Sequence, residues 1–258
     1  MSELASEPSI RRLVLELAVQ DVRGIGVAAR VRPARIELCT ALALGGLTPP
    51  GSLIDAAVAA RDAGGPGVHV LIRPRSGGFT YDADELAVLL ADCRAAAEHG
   101  ADGIVVGATT TGPDGTPVLD LDVIAQATEA AGDLDVTVHR VVDTLPDPAA
   151  AVAALVGTGV RRVLTSGGAA AAPDGVPVLR AMVAAAGRIE VMAGSGVTPA
   201  SVATLAAAGV DAVHASASRV HADETGVSLG SSPDAGRFTT TDPELAGRLL
   251  AAVREVAP

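Results

Sequence analysis

Lysine is absent from this chain of 258 residues, and all 19 basic side chains are arginine. That absence excludes a lysine Schiff base and a P-loop lysine outright. Tryptophan is missing too, and the aromatic residues are only Phe79, Tyr81 and Phe238. Cysteine is confined to Cys39 and Cys93, neither in a C-x-x-C pair, which argues against a disulfide framework or a zinc knuckle. Basic charge is scarce against 30 acidic residues; the formal net charge is -11 and there is no basic stripe. A nucleic-acid partner is therefore not expected. Nor is a membrane, because the longest apolar stretch, around Ala149 to Val156, stops at Gly157 and is too short to span a bilayer. Met1 to Arg12 is polar and acidic, with no cationic segment leading an apolar one. Residues 1–11 read as a flexible N-terminal extension to one domain over 12–258, and the expected location is the cytoplasm.

What is present is a globular composition, 49% hydrophobic and 19% charged, at about the length of one barrel of eight strands. Eight short β-branched and aliphatic runs begin near Leu13, Arg35, Val68, Gly103, Val136, Arg162, Ile189 and Ala212, with a helical stretch after each. Asp147-Pro148, Thr198-Pro199 and Asp242-Pro243 each pair a capping side chain with a proline at the first helical position. Gly157 and Gly209 close the first two of these helices. The poorest helix spans Gln20 to Val31, because Gly24 and Gly26 sit inside it. Eight alternations without a break in composition predict an α/β fold, a single (β/α)8 TIM-type barrel.

The strands end in polar residues, and alternation along them sorts which share a face. Arg35, Glu37 and Cys39 fall together, with Ile36 and Leu38 opposite. If the apolar set packs on helices, Glu37 turns to the barrel mouth. The same rule groups His69, Leu71 and Arg73, then Thr137 with His139, and turns Glu16 and His214 inward. The expected mouth holds Glu16, Glu37, Arg73, His139 and His214, with Arg75, Arg140 and Asp143 close above. Arginines there can hold an anionic substrate, while Glu37, His139, Glu16 and His214 can move protons. A barrel-interior ion pair and a hydrogen-bonded core histidine are the plainer alternative for any one of them.

Two further stretches stand out. Phe79 and Tyr81 share one loop after the third strand, so that loop is expected to cover something. The polar, glycine-bearing segment Ser218 to Thr241 suits a flap or an interface arm. The turn Gly194-Ser195-Gly196, with Thr198 following, can cup a phosphate through its amides, and Ser166-Gly167-Gly168 can form the adjacent wall.

Several of these residues form a familiar set. Arg35-Ile-Glu-Leu-Cys39 with Gly45-Gly-Leu-Thr-Pro49, His69-Val-Leu-Ile-Arg-Pro-Arg75 and Val138-His-Arg140 with Asp143 resemble the copper homeostasis protein CutC family. So do Leu164-Thr-Ser-Gly167, the turn at Gly194, and His214-Ala-Ser216. The match runs in order from about Leu13 to Ser216. The resemblance implies a barrel, a cytoplasmic location, a homo-oligomer with a dimer favoured, and a copper ion as possible cofactor. It offers Cys39 as a metal ligand. The family commonly has a cysteine at the end of the first strand, where this chain reads Leu17-Ala18-Val19-Gln20-Asp21. Cu(I) prefers soft sulfur ligands. With Met192 as the one plausible interior thioether, a high-affinity cuprous site is not expected here. Three other readings stay open: an enzyme acting on a small anionic or phosphorylated metabolite without a Schiff base, a harder or borderline divalent ion held by Glu16, Glu37, His139 and His214, and a purely structural or adaptor role.

Overall fold

The computed structural model describes residues 13–222 and 237–256. The expected extension over 1–11 lies outside the described residues, as do 223–236 of the expected flap. Eight strands form the centre: β1 (Val14–Val19), β2 (Arg35–Leu38), β3 (Gly67–Leu71), β4 (Gly103–Val106), β5 (Asp135–Val138), β6 (Arg162–Thr165), β7 (Glu190–Gly194) and β8 (Ala212–Ala215). All are parallel, and β8 returns to β1 with Glu16 opposite His214, so the sheet closes. Around it run α1 (Val22–Val31), α2 (Gly51–Asp62), α3 (Ala83–Glu98), α4 (Leu121–Ala131), α5 (Pro148–Ala154), α6 (Val176–Ala185), α7 (Val202–Ala207) and α8 (Pro243–Val256). The fold is a single (β/α)8 barrel. No described helix is long and apolar enough to cross a membrane.

Local chemistry sets the helix starts. Asp147 accepts from the Ala150 amide at 2.9 Å and Asp242 from the Leu245 amide at 2.9 Å. Asp82 and Glu85 form a reciprocal capping box on α3. Thr198-Pro199 behaves differently: a 3-10 turn, Pro199–Ser201, comes first, because the Ser201 hydroxyl turns back to accept from the Thr198 amide. Helix α1 forms despite its glycines, with Asp21 accepting from the Gly24 amide at 2.7 Å. A Cβ at Gly24 would come within 2.8 Å of Val19 and of Thr241, so close packing requires glycine there.

Two antiparallel ribbons decorate the barrel. One, Thr109–Thr111 with Pro117–Leu119, stands between β4 and α4, where the sequence pattern had suggested only a helix. The other pairs Ser218–Ala222 with Arg237–Thr241. Gln20 ties this second ribbon to the mouth: its amide donates to the Thr239 carbonyl and accepts from the Leu42 amide.

Leu15, Leu17, Ile36, Leu38, Ile104 and Val138 are fully buried in the main apolar core. The other strand face fills the barrel and is unusually polar. Near the strand starts, Arg162 bonds Glu190 at 2.8 Å and Thr137 at 3.1 Å. Higher up, Arg35 donates to Glu16 at 2.5 Å and to the Met192 sulfur at 3.4 Å. Isolated charges are too costly at such depth, and each of these arginines is satisfied by a carboxylate.

Candidate active site at the barrel mouth

At the C-terminal ends of the strands lies a cavity of about 150 Å³, lined by Glu37, Arg73, Phe79, His139, Arg140 and His214 over a floor of Leu71 and Leu164. Glu37 is 6% exposed, and its Oε2 has no hydrogen-bond partner among the described residues. Burial raises its pKa to about 7; the charge of Glu16 adds to the rise, and His214 opposes it. The same carboxylate on the surface would be ionised throughout this range.

His214 is held from below. Its Nδ1 donates to Glu16 Oε1 at 2.8 Å, and the other Glu16 oxygen accepts from Arg35 at 2.5 Å. Burial alone would raise the Glu16 pKa, but the His214 hydrogen bond and the Arg35 and His214 charges hold it well below the usual carboxylate range. Burial alone would lower the His214 pKa, yet Glu37 and Glu16 together keep it above its ordinary value. With ionised Glu16 taking the Nδ1 proton, the exchangeable position on the ring is Nε2.

His139 is the opposite case. Its Nδ1 accepts from the Val141 amide at 3.1 Å, while its buried Nε2 has no partner among the described residues. Burial and the Arg73 charge push its pKa down to about 3. The Phe79 ring lies 4.8 Å away, centroid to centroid, and Arg73 sits 5.2 Å over the same ring. Room for the imidazole comes from Gly107, just past β4, where a Cβ would meet the His139 ring at 2.7 Å.

The arginines divide the work. Arg73 donates to the Leu44, Gly46 and Gly77 carbonyls, stapling two loops across the mouth, and its Nε is left without a partner. Arg75 lines neither mouth cavity: it pairs with Glu85, donates to Thr80, and covers Tyr81 at 5.1 Å. Arg140 donates to Asp143 at 2.8 Å and to the Ser166 hydroxyl at 2.9 Å. Asp143 also accepts from Thr165 at 2.5 Å and from the Ser166 and Gly168 amides. Asp143, Thr165, Ser166 and Gly168 therefore form a knot that orients Arg140, and the Gly167 amide joins it by donating to the Thr165 hydroxyl. Gly167, at φ +70°, packs where a Cβ would meet the Gly175 carbonyl at 2.5 Å.

A second cavity of about 380 Å³ adjoins the first and shares Arg140 and His214 with it. Its walls are Ser195, Gly196 and Thr198 from the loop after β7 and Ser216 and Ser218 from the loop after β8. Ser166, Gly167 and Gly168 do not line this cavity, though the loop they begin packs beside the turn, where the Ser195 hydroxyl donates to the Ala170 carbonyl. Gly194 is packed closely, since a Cβ there would meet Leu164 at 2.5 Å and the His214 Cβ at 3.4 Å.

Comparison with known proteins places this geometry. The CutC family model matches residues 13–219. The chain belongs to the CutC family. The CutC family protein of Sinorhizobium medicae is 42% identical over 199 residues, 76% of this chain and 77% of that protein. That of Agrobacterium fabrum is 38% identical over 248 residues, 95% of this chain and 92% of that protein. The crystal structure of CutC from Streptococcus agalactiae superposes with a TM-score of 0.73 at 29% identity, covering 79% of this chain and 98% of that one.

For this member of the CutC family, the residues present do not fit a cuprous ion. Cys39 is fully buried, its thiol donates toward the Val19 carbonyl at 3.6 Å, and burial pushes its pKa far up. The ligand form is the thiolate. Met192 has its sulfur turned to Arg35. Glu16, Glu37 and His214 do bring one ligand atom each within 4.8 Å of one another, without His139. Both Glu16 oxygens are already bonded, one of them to a fixed guanidinium charge, which suits a proton relay better than a cation.

The residues missed from sequence are those that make room or hold partners. Arg35 was placed on the right face but not seen as the partner of Glu16. Gly103 enters the sequence pattern only as the start of the fourth run and Gly107 not at all; their spacing of four puts both inward, against His69 and His139. That spacing was the available signal.

Proposed function

We propose that this protein is an enzyme that moves a proton on a small anionic, phosphorylated metabolite, with Glu37 as its acid–base group. The observation that carries the reading is the Glu37 carboxyl, buried at a strand end, unpartnered on one oxygen and held at about 7. A group balanced near working pH can both take and return a proton. His214, fixed by Glu16, is the second proton carrier, and Glu16 is a positioning residue. Arg140, between the two cavities, supplies fixed positive charge. The Gly194-Ser195-Gly196 turn and the hydroxyls of Ser216 and Ser218 supply neutral donors for a phosphoryl group, at a place where barrels commonly bind one. The family's copper association then reaches this chain indirectly, through a metabolite, and no Cu(I) is held in the barrel.

Carbon-13 NMR of glutamate-labelled protein tests the core of this. One carboxyl titrating at about 7 should vanish in Glu37→Gln, and Arg140→Gln should weaken inorganic phosphate binding by about tenfold. A Glu37 that titrates in the ordinary carboxylate range, or phosphate binding indifferent to Arg140, would sink the proposal. Anaerobic Cu(I) competition should give the same result for wild type and Cys39→Ala; a tight stoichiometric site lost in that variant would restore direct copper binding. The reading also puts the protein in the cytoplasm as a homo-oligomer, a dimer first, supported by Val220 and Phe238 exposed on the second ribbon. Sedimentation velocity of wild type against Phe238→Ser checks that part.

A further inference from the structure

Three buried polar atoms without partners among the described residues belong to residues lining the smaller mouth cavity: Glu37 Oε2, Arg73 Nε and His139 Nε2. An unsatisfied buried polar group costs about 1–3 kcal/mol, so three around one cavity need a reason. Their chemistry differs. Glu37 exchanges a proton. Arg73 Nε can only donate. For His139 the Val141 amide donates to Nδ1, so that nitrogen carries the lone pair and the proton of the neutral ring sits on Nε2. The geometry thus leaves two donors and one base around the same space.

From this we infer that His139 Nε2–H and Arg73 Nε–H form an oxyanion pair, and that the substrate carries a carbonyl group with a removable proton on the adjacent carbon. The inference deepens the proposed function and rests on Glu37 as the base there. Glu37 takes the proton, and the C–H electron pair becomes the C=C bond of an enolate. The carbonyl π pair moves onto oxygen, where the two donors meet the growing charge. The proton then returns from Glu37 to the same carbon as the oxygen lone pair re-forms the C=O bond, so the step needs no oxidant or reductant. Donors fixed in place before charge develops are the most effective way to stabilise it. The chain has no lysine, so imine formation by its side chain cannot activate a carbonyl here. Hydrogen-bond donors must do that work. A neutral imidazole suits the role, and its burial against Phe79 and beside Arg73 keeps it neutral at working pH. The ring faces Arg73 from the β3 loop and Glu37, Arg140 and His214 across the cavity.

Nitrogen-15 NMR of histidine-labelled wild-type protein reads the first claim directly. His139 should show the Nε2–H tautomer and not titrate between about pH 5 and pH 8. Acetohydroxamate, a small planar mimic of an enediolate, should bind and shift the Nε2–H resonance. Binding should weaken about tenfold in His139→Ala and recover in His139→Gln, whose amide restores a donor. A titrating His139, an Nδ1–H tautomer, or acetohydroxamate binding that is absent or indifferent to His139→Ala each overturns the inference. If Glu37 still titrates at about 7 and phosphate binding still depends on Arg140, only the carbonyl assignment falls. If those two fail while His139 behaves as described, the proposed function falls and takes the enolate step with it, leaving only the His139 donor.

Discussion

Gly107 shows how much at the mouth depends on an absent side chain. A methyl group there would press on the His139 ring and on Val141 at 2.7 Å, against the amide that sets the ring's tautomer. Gly107→Ala should destabilise the fold by about 1–3 kcal/mol through overpacking and break the Val141–His139 bond. Urea unfolding measures the first effect, and the His139 nitrogen-15 shift measures the second. Alternation along the strands was enough to bring Glu37, Arg73, His139 and His214 to one cavity, because side-chain direction follows from parity alone. Parity does not say which polar atom finds a partner. It could not distinguish Arg75, satisfied by Glu85 and the Thr80 carbonyl, from Arg140 on the cavity wall. Nor could it show that Cys39 would have its thiol turned toward a backbone carbonyl.

Among the elements, the loop after β3 governs access. Arg73 and Arg75 bind six carbonyls of this loop and of the loop after β2, and they hold Phe79 and Tyr81 beneath their guanidinium groups. Phe79→Ala should uncover the His139 ring. Because burial is the main cause of its lowered pKa, the value should climb from about 3 toward the ordinary imidazole range, as an NMR pH titration would record. A value unmoved by the substitution would place the cause elsewhere in the barrel. The helices were legible in outline from Asp-Pro and glycine punctuation, which acts locally. The ribbon from Thr109 was not, since three threonines before Gly-Pro-Asp-Gly read equally well as a plain turn. Its strands exist through pairing with each other, a contact that a single-segment pattern does not contain.

For the whole molecule, buried titrating groups couple the mouth to stability. Glu37 keeps its proton in the fold up to about 7, against an ordinary value of 4.5, so its contribution declines as pH rises across that window. His139 and His69 have folded values of about 3 and about 4 against 6.5, so their contributions are lost as pH falls below about 6.5. Glu37→Gln should therefore gain stability relative to wild type between about pH 5 and pH 8, by on the order of 3 kcal/mol, in urea melts at the two pH values. The barrel itself was legible because eight buried runs at regular spacing admit few other closures. The chain of groups from Arg35 through Glu16 to His214 has a further consequence. Glu16 and His214 are 198 residues apart and meet only where the first strand joins the last. This bonded chain thus crosses the seam of the ring, and no half-barrel fragment holds both of its ends. Circular permutants cut elsewhere on the ring should keep the site, and chains severed between β1 and β8 should regain it only when the halves reassociate.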